Sequence, residues 1–137
     1  MLEKDGKKLI WDFEFKMRKK TSARRPDLVL EDSNKKVIYI LDMSCPMEEN
    51  IEDKRREKLT KYQQVAFELR ERRRGYKILI LPVVIGCFGG GGDKVLHVLK
   101  ELLPENADRV LGEMTKVVLW ESESMLRRVL SGLIQKE

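Results

Sequence analysis

Three features of the chain predict an α/β fold, with a mixed central sheet of about four strands flanked by helices. Residues 27–31 and 37–43 are two short blocks rich in Val, Ile and Leu, separated by a turn cluster, Asp-Ser-Asn-Lys-Lys. Residues 51–74 contain neither Gly nor Pro, so nothing in the local sequence breaks a helix there. Residues 76–86 then form the most apolar run in the chain. A long helix between strands is a crossover, which lets the strand after it run parallel to a member of the sheet. The 137 residues suit one domain with one core, expected to span 1–137.

The first element is read from residues 9–17, where apolar and polar residues alternate strictly from Trp11 onward. That is the period of a half-buried strand, with Trp11, Phe13, Phe15 and Met17 on the core face. Residues 18–26 are a basic connector without periodicity. The blocks at 27–31 and 37–43 form a hairpin, and Pro46 ends its second strand because Pro donates no ladder hydrogen bond. Asn50 is the expected N-cap of the long helix, with Glu52 and Asp53 in its first turn and Gly75 as its stop. The run 76–86 reads as a buried strand interrupted or bulged near Pro82. Gly89–Gly92 is a flexible loop. C-terminal helices are expected over about 93–134: one capped by Asp93, one entered through Pro104 and running to about Val118, and one starting at Ser122.

Charge narrows the function classes. Lys and Arg number 28 against 23 Asp and Glu, a net charge of +5, and the excess is concentrated. Residues 1–25 hold nine basic side chains against four acidic ones, and residues 54–74 hold nine against three. Two basic segments on an otherwise acidic body make a track for phosphates, and the bland counterpart is a solvated helix face plus a basic arm. No apolar run approaches the roughly 18 residues of a spanning helix, so no membrane role is expected. The charged N-terminus carries no signal-peptide pattern, which points to an intracellular location. Cys45 and Cys87 are too few for a disulfide scaffold or a zinc site. Cys45 reads as a buried structural thiol and His97, between Leu96 and Val98, as structural. Gly89–Gly92 lacks the Gly-Lys-Ser/Thr ending of a phosphate loop.

The hairpin carries the chemistry. A loop centred between Asn34 and Lys35 sets Leu28 opposite Leu41, Val29 opposite Ile40 and Asp27 opposite Asp42, each pair on one face. Like charges directly opposite are unfavourable, so two carboxylates at the open end of an apolar hairpin call for a cation. A hard divalent ion suits them, and Mg²⁺ takes one or two carboxylates plus a substrate phosphate. The alternative is that both acids simply end their strands in solvent. On the long helix, Ile51, Tyr62, Val65 and Leu69 make an apolar stripe that continues through Arg55 and Lys58, with Lys61 on its edge. The helix begins where the second hairpin strand ends, which brings Lys58 toward Asp42. A lysine aimed there stabilises transition-state charge, and its bland counterpart is a snorkelling stem.

These residues resemble a known pattern. Arg25-Pro26-Asp27 followed by Asp42 is similar to the PD-(D/E)XK nuclease signature. Trp11-Asp12-Phe13, Ala23-Arg24-Arg25-Pro26-Asp27-Leu28-Val29, Asp42 with Pro46 after it, Glu57-Lys58-Leu59-Thr60-Lys61-Tyr62 and Pro82-Val83-Val84-Ile85-Gly86 resemble one subfamily. That subfamily is the restriction-enzyme-like endonuclease domain of non-LTR retrotransposon reverse-transcriptase polyproteins. The resemblance covers about residues 9–90. It implies a restriction-endonuclease-like core and Mg²⁺-dependent DNA hydrolysis, with Mn²⁺ as a substitute, making the nick that primes reverse transcription. It implies a nuclear location and DNA as partner, with the reverse-transcriptase part of a polyprotein as a second one. Asp27 and Asp42 would be catalytic metal ligands. The usual lysine position, two after Asp42, is Ser44, and the subfamily supplies its lysine from the next helix, at Lys58. Arg24, Arg25, Lys61 and Tyr62 would serve DNA binding, and Asp12 is a possible additional acid. An inactive DNA-binding relic of such a domain and a branched-DNA resolvase of the same fold are the competing readings.

Overall fold

A computed structural model describes residues 2–11, 14–17 and 25–135. The chain divides into two compact units: Met1–Met43 with Asp53–Val83, and Ser44–Glu52 with Val84–Glu137. The architecture is mixed α/β, a five-stranded mixed sheet flanked by helices, with strands in chain order: β1 (Leu2–Lys4), β2 (Lys7–Trp11), β3 (Leu28–Asp32), β4 (Val37–Ser44) and β5 (Lys77–Val84). The first four pair antiparallel. Lys77 N–H bonds Lys36 C=O and Ile85 N–H bonds Ser44 C=O, the same offset at both ends, so β5 runs parallel to β4.

The β3–β4 register is set by its turn. Asp32 Oδ1 accepts the N–H groups of Asn34 (3.0 Å) and Lys35 (3.1 Å), an Asx arrangement that closes a four-residue loop. Lys36 completes the turn at φ 55°. Leu28 therefore faces Leu41 and Val29 faces Ile40, as the loop centring requires. The strand count is five rather than four, because β1 and β2 form a hairpin of their own. Asp5 (φ 51°) and Gly6 (φ 79°) make its turn, and Asp-Gly suits two positive φ values. Ser33 N–H (2.9 Å) and Ser33 Oγ (2.8 Å) donate to Gly6 C=O, tying the two hairpin turns together.

The strand predicted over 9–17 needs correction. β2 stops at Trp11, and residues 14–17 are irregular, with Phe15 buried and Met17 packed on the core. Ile10, not Trp11, packs on the core cluster; Trp11 takes the opposite parity and is exposed. Phe13 lies outside the described residues. Pro82 does not interrupt β5. As the last strand of the sheet, β5 has a side on which a missing N–H costs no ladder bond.

In the first unit, α1 (Ile51–Lys61) and α2 (Gln63–Arg72) cover one face of β3, β4 and β5. Val29, Ile38, Ile40, Tyr62, Val65, Ala66 and Ile78 form the core, with Ile40 and Val65 fully buried. The single helix expected over 51–74 is broken at Tyr62 (φ −101°, ψ 11°), and it is preceded by a 3-10 turn, Glu48–Asn50, rather than capped by Asn50. Gln63 Nε2 donates to Leu59 C=O at 3.0 Å, satisfying a carbonyl beside the break. Ile40→Ala should cost about 2–5 kcal/mol, measured as a fall in the denaturant midpoint without a change of slope.

In the second unit, α3 (Gly92–Leu102) and α4 (Ala107–Gln135) pack on each other through buried Val95, Val98, Leu99 and Ala107. Gly91, in the left-handed region at φ 81°, precedes α3 in place of the expected Asp93 cap. Pro104 lies in a turn, and α4 is one 29-residue helix where two were expected. Between Val118 and Ser122 the chain reads Leu-Trp-Glu, with nothing to stop a helix. Glu48 Oε1 accepts the N–H groups of Phe88 (2.8 Å) and Gly90 (3.1 Å). A Cβ at Gly86 or Gly90 would overlap that carboxylate, so both glycines are required for the contact. Lys94 Nζ reaches Glu52 Oε1 at 2.5 Å.

Candidate active site at the open end of the β3–β4 hairpin

Asp42 faces the helix-covered side of β4 and is only 4% exposed. A carboxylate that deep must be paired and hydrogen-bonded to remain ionised. Two donors converge on it. Lys58 Nζ lies 2.6 Å from Oδ2, with the lysine side chain itself 14% exposed. The Asp27 backbone N–H donates to Oδ1 at 3.2 Å. Tyr62, four residues after Lys58 at the break between α1 and α2, is buried close enough to feel the charge of this carboxylate.

Asp27 sits one step beyond β3 and is exposed. Its Oδ2 accepts the Met43 N–H at 2.7 Å. Each aspartate thus holds a backbone N–H from the opposite strand, which closes the end of the hairpin and brings two carboxyl groups together. The effect reaches Tyr62, which is 1% exposed. Burial first, then the charges of Asp42 and Asp27, push its phenol well above its ordinary value. In the unfolded chain a tyrosine ionises near pH 10. The contribution of Tyr62 to stability is therefore complete below about pH 10 and lost as pH rises above it. Melting curves in chelator-containing buffer should show a steep alkaline loss that is flattened in Tyr62→Phe.

The other sequence candidates divide. Lys61 is exposed, its ammonium 5.3 Å from the Tyr62 ring centre, and Arg25 is exposed. Tyr62 lies in the core and touches the acid site instead of presenting a surface to DNA. Arg24 and Asp12 lie outside the described residues, as does most of the basic connector. Ser44 makes a ladder bond to Ile85 through its carbonyl. Cys45, expected buried, is exposed; partial desolvation, Cys87 and Glu48 push its thiol up, the reverse of an activated nucleophile. His97 is exposed on α3 rather than packed. Tyr62 packs beside Asp42 as a buried neighbour, a placement its four-residue spacing from Lys58 signals.

No metal-ligating group of three or more His, Cys, Asp or Glu occurs among the described residues. The pair nevertheless suits Mg²⁺, which needs only one or two carboxylates and completes its shell with water and phosphate oxygens. Asp27 is the accessible member, and its Oδ1 has no partner among the described residues. No described helix is long and apolar enough to cross a membrane. Comparison with family models, with curated proteins and with solved structures gave no match.

Proposed function

We propose that this chain is a metal-dependent DNA endonuclease domain that hydrolyses a phosphodiester bond, with a restriction-endonuclease-like core and a retrotransposon-type layout of its site. The observation that carries the reading is the Lys58–Asp42 contact at 2.6 Å, placed beside Asp27 at the end of one hairpin. Asp27 and Asp42 are the residues to hold Mg²⁺, which would supply Lewis-acid polarisation of the phosphate and an acidified water. Lys58 provides fixed positive charge beside the phosphate, in a position where solvent screens it little. The Asp27 N–H on Oδ1 and Lys58 on Oδ2 hold the Asp42 carboxylate in one orientation. Arg25 and Lys61 supply exposed charge for the DNA backbone.

One observation favours the rival, a DNA-binding relic without activity: both oxygens of Asp42 already have a partner, Oδ2 in Lys58 and Oδ1 in the Asp27 N–H. Titrating Mg²⁺ and Mn²⁺ into a supercoiled-plasmid nicking assay decides between them. Metal-dependent nicking supports the endonuclease, and tight DNA binding with no nicking at any metal concentration supports the relic. In either case Arg25→Ala with Lys61→Ala should weaken DNA binding. The salt slope, log Kd against log salt, should fall by about 0.9 for each phosphate no longer neutralised, measured by anisotropy.

A further inference from the structure

A cavity of about 440 Å³ opens in the first unit, on the helix-covered face of β2 and β3 and at the end of α2. It does not include Asp27, Asp42 or Lys58. Its floor is apolar: Ile10 and Val29 are register partners across β2 and β3, and Ile38 and Phe15 continue it. Its rim is charged. Lys8 and Glu31 are the next partners on the same face, Glu14 and Lys16 flank Phe15, and Arg72 and Arg73 end α2, four basic groups against two acidic ones.

Two of these charges are arranged as a fixed pair. Arg73 is bonded to Glu31 and lies 4.5 Å from the Tyr76 ring centre, so the guanidinium and the carboxylate stand side by side at the rim. Arg72 donates to Lys16 C=O at 2.6 Å, which holds the 14–17 segment against α2 and keeps the cavity walled. Lys8 and Lys16 form no ion pair among the described residues. An apolar slot with a donor–acceptor edge and two uncommitted ammonium groups matches one class of ligand: a planar heterocycle carrying a phosphate. The volume falls within the usual range for small-molecule sites. Along β3, Glu31 is four residues from Asp27, roughly 13 Å at strand rise, a span of about four base steps.

We propose that this cavity takes one unstacked nucleotide of the DNA strand. Its base enters the Ile10–Val29–Ile38 slot with an edge on Glu31 and Arg73, and its phosphate meets Lys8 and Lys16. Extruded bases are held this way in other settings, by an apolar slot plus hydrogen bonds to the pairing edge. The inference rests on the endonuclease reading for its ligand, though not for its test.

The test uses the full chain in metal-free buffer, with ¹³C-methyl isoleucine signals read by NMR. Deoxynucleoside 5′-monophosphates, the matching nucleosides and inorganic phosphate are titrated separately. The nucleotides should shift Ile10 and Ile38, leave Ile51 and Ile85 unmoved, and bind at least about tenfold more tightly than nucleoside or phosphate. Lys8→Gln with Lys16→Gln, changes at solvent-accessible positions, should raise Kd for the nucleotide about tenfold and leave that for the nucleoside unchanged. Ile10→Phe fills the slot and should abolish the Ile38 shift. Equal binding of phosphate and nucleotide, or no shift at Ile10 and Ile38, overturns the proposal. Nucleotide binding in a chain that never nicks plasmid would instead overturn the endonuclease reading and leave the cavity assignment standing.

Discussion

Lys58→Met is expected to lower metal-dependent nicking by roughly 100- to 1000-fold, the loss associated with one preorganised charge or donor at a transition state. The methionine keeps most of the stem volume and removes the ammonium. The sequence alone suggests a surface-type pair worth about 0–1 kcal/mol. That value does not apply here, since Asp42 and Lys58 are 6% and 14% exposed at their side chains. Removing the lysine of a largely buried pair leaves the Asp42 carboxylate short of a donor, although it keeps the Asp27 N–H. The expected stability loss is roughly 1–3 kcal/mol. A domain of ordinary stability, about 5–15 kcal/mol, remains folded after that loss, so unfolding cannot account for the activity change. Lys54→Met is the matched control: its partner Glu57, at 3.2 Å, is surface-exposed, and nicking should change little. Equal small losses in both variants would reduce Lys58 to a buried counterion without a part in the chemistry.

Asp27→Asn should bring nicking to the detection limit, on the order of a thousandfold loss, because a metal-bound phosphate or water owes several kcal/mol to its ion. The asparagine can still accept the Met43 N–H through its carbonyl oxygen, so the end of the hairpin stays closed. DNA affinity should hold or rise, since an anion near the phosphate is gone. Nicking rates and anisotropy on the same preparation give both readings. Full metal-dependent nicking by Asp27→Asn would remove this residue from the site.

The hairpin register was legible because a turn fixes it: Asp32 and the residues after it close one loop, and every later pairing is counted from there. Lys58 was legible because helix periodicity is local and Tyr62, Val65 and Leu69 mark the inward face. The β1–β2 hairpin was overlooked despite Asp5-Gly6, since Leu2–Lys4 carries a single apolar residue and no alternation to count. The break at Tyr62 has no local cause: the ring is buried in the core against strand residues far away in the chain, Val29, Ile38 and Ile40. The Arg73–Glu31 pair is also a long-range product, linking the end of α2 to a strand 42 residues away. Trp11 was set on the wrong face because alternation across residues 9–17 was read as one strand, whereas β2 ends there and its own parity belongs to Ile10.

The division of the chain has a consequence for the order in which the parts become available during synthesis. Asp27, Asp42, Lys58 and Tyr62 all belong to the unit that ends at Val83. Every residue of that unit therefore emerges from the ribosome ahead of α3 and α4. Residues 44–52 are the exception. They lie in the middle of the chain yet belong with the residues after Val83, and Glu48 and Glu52 must wait for Phe88, Gly90 and Lys94. Residues 84–137 are thus needed to seat a segment that precedes them by some forty positions, and removing them would leave Glu48 a carboxylate without the amides that hold it.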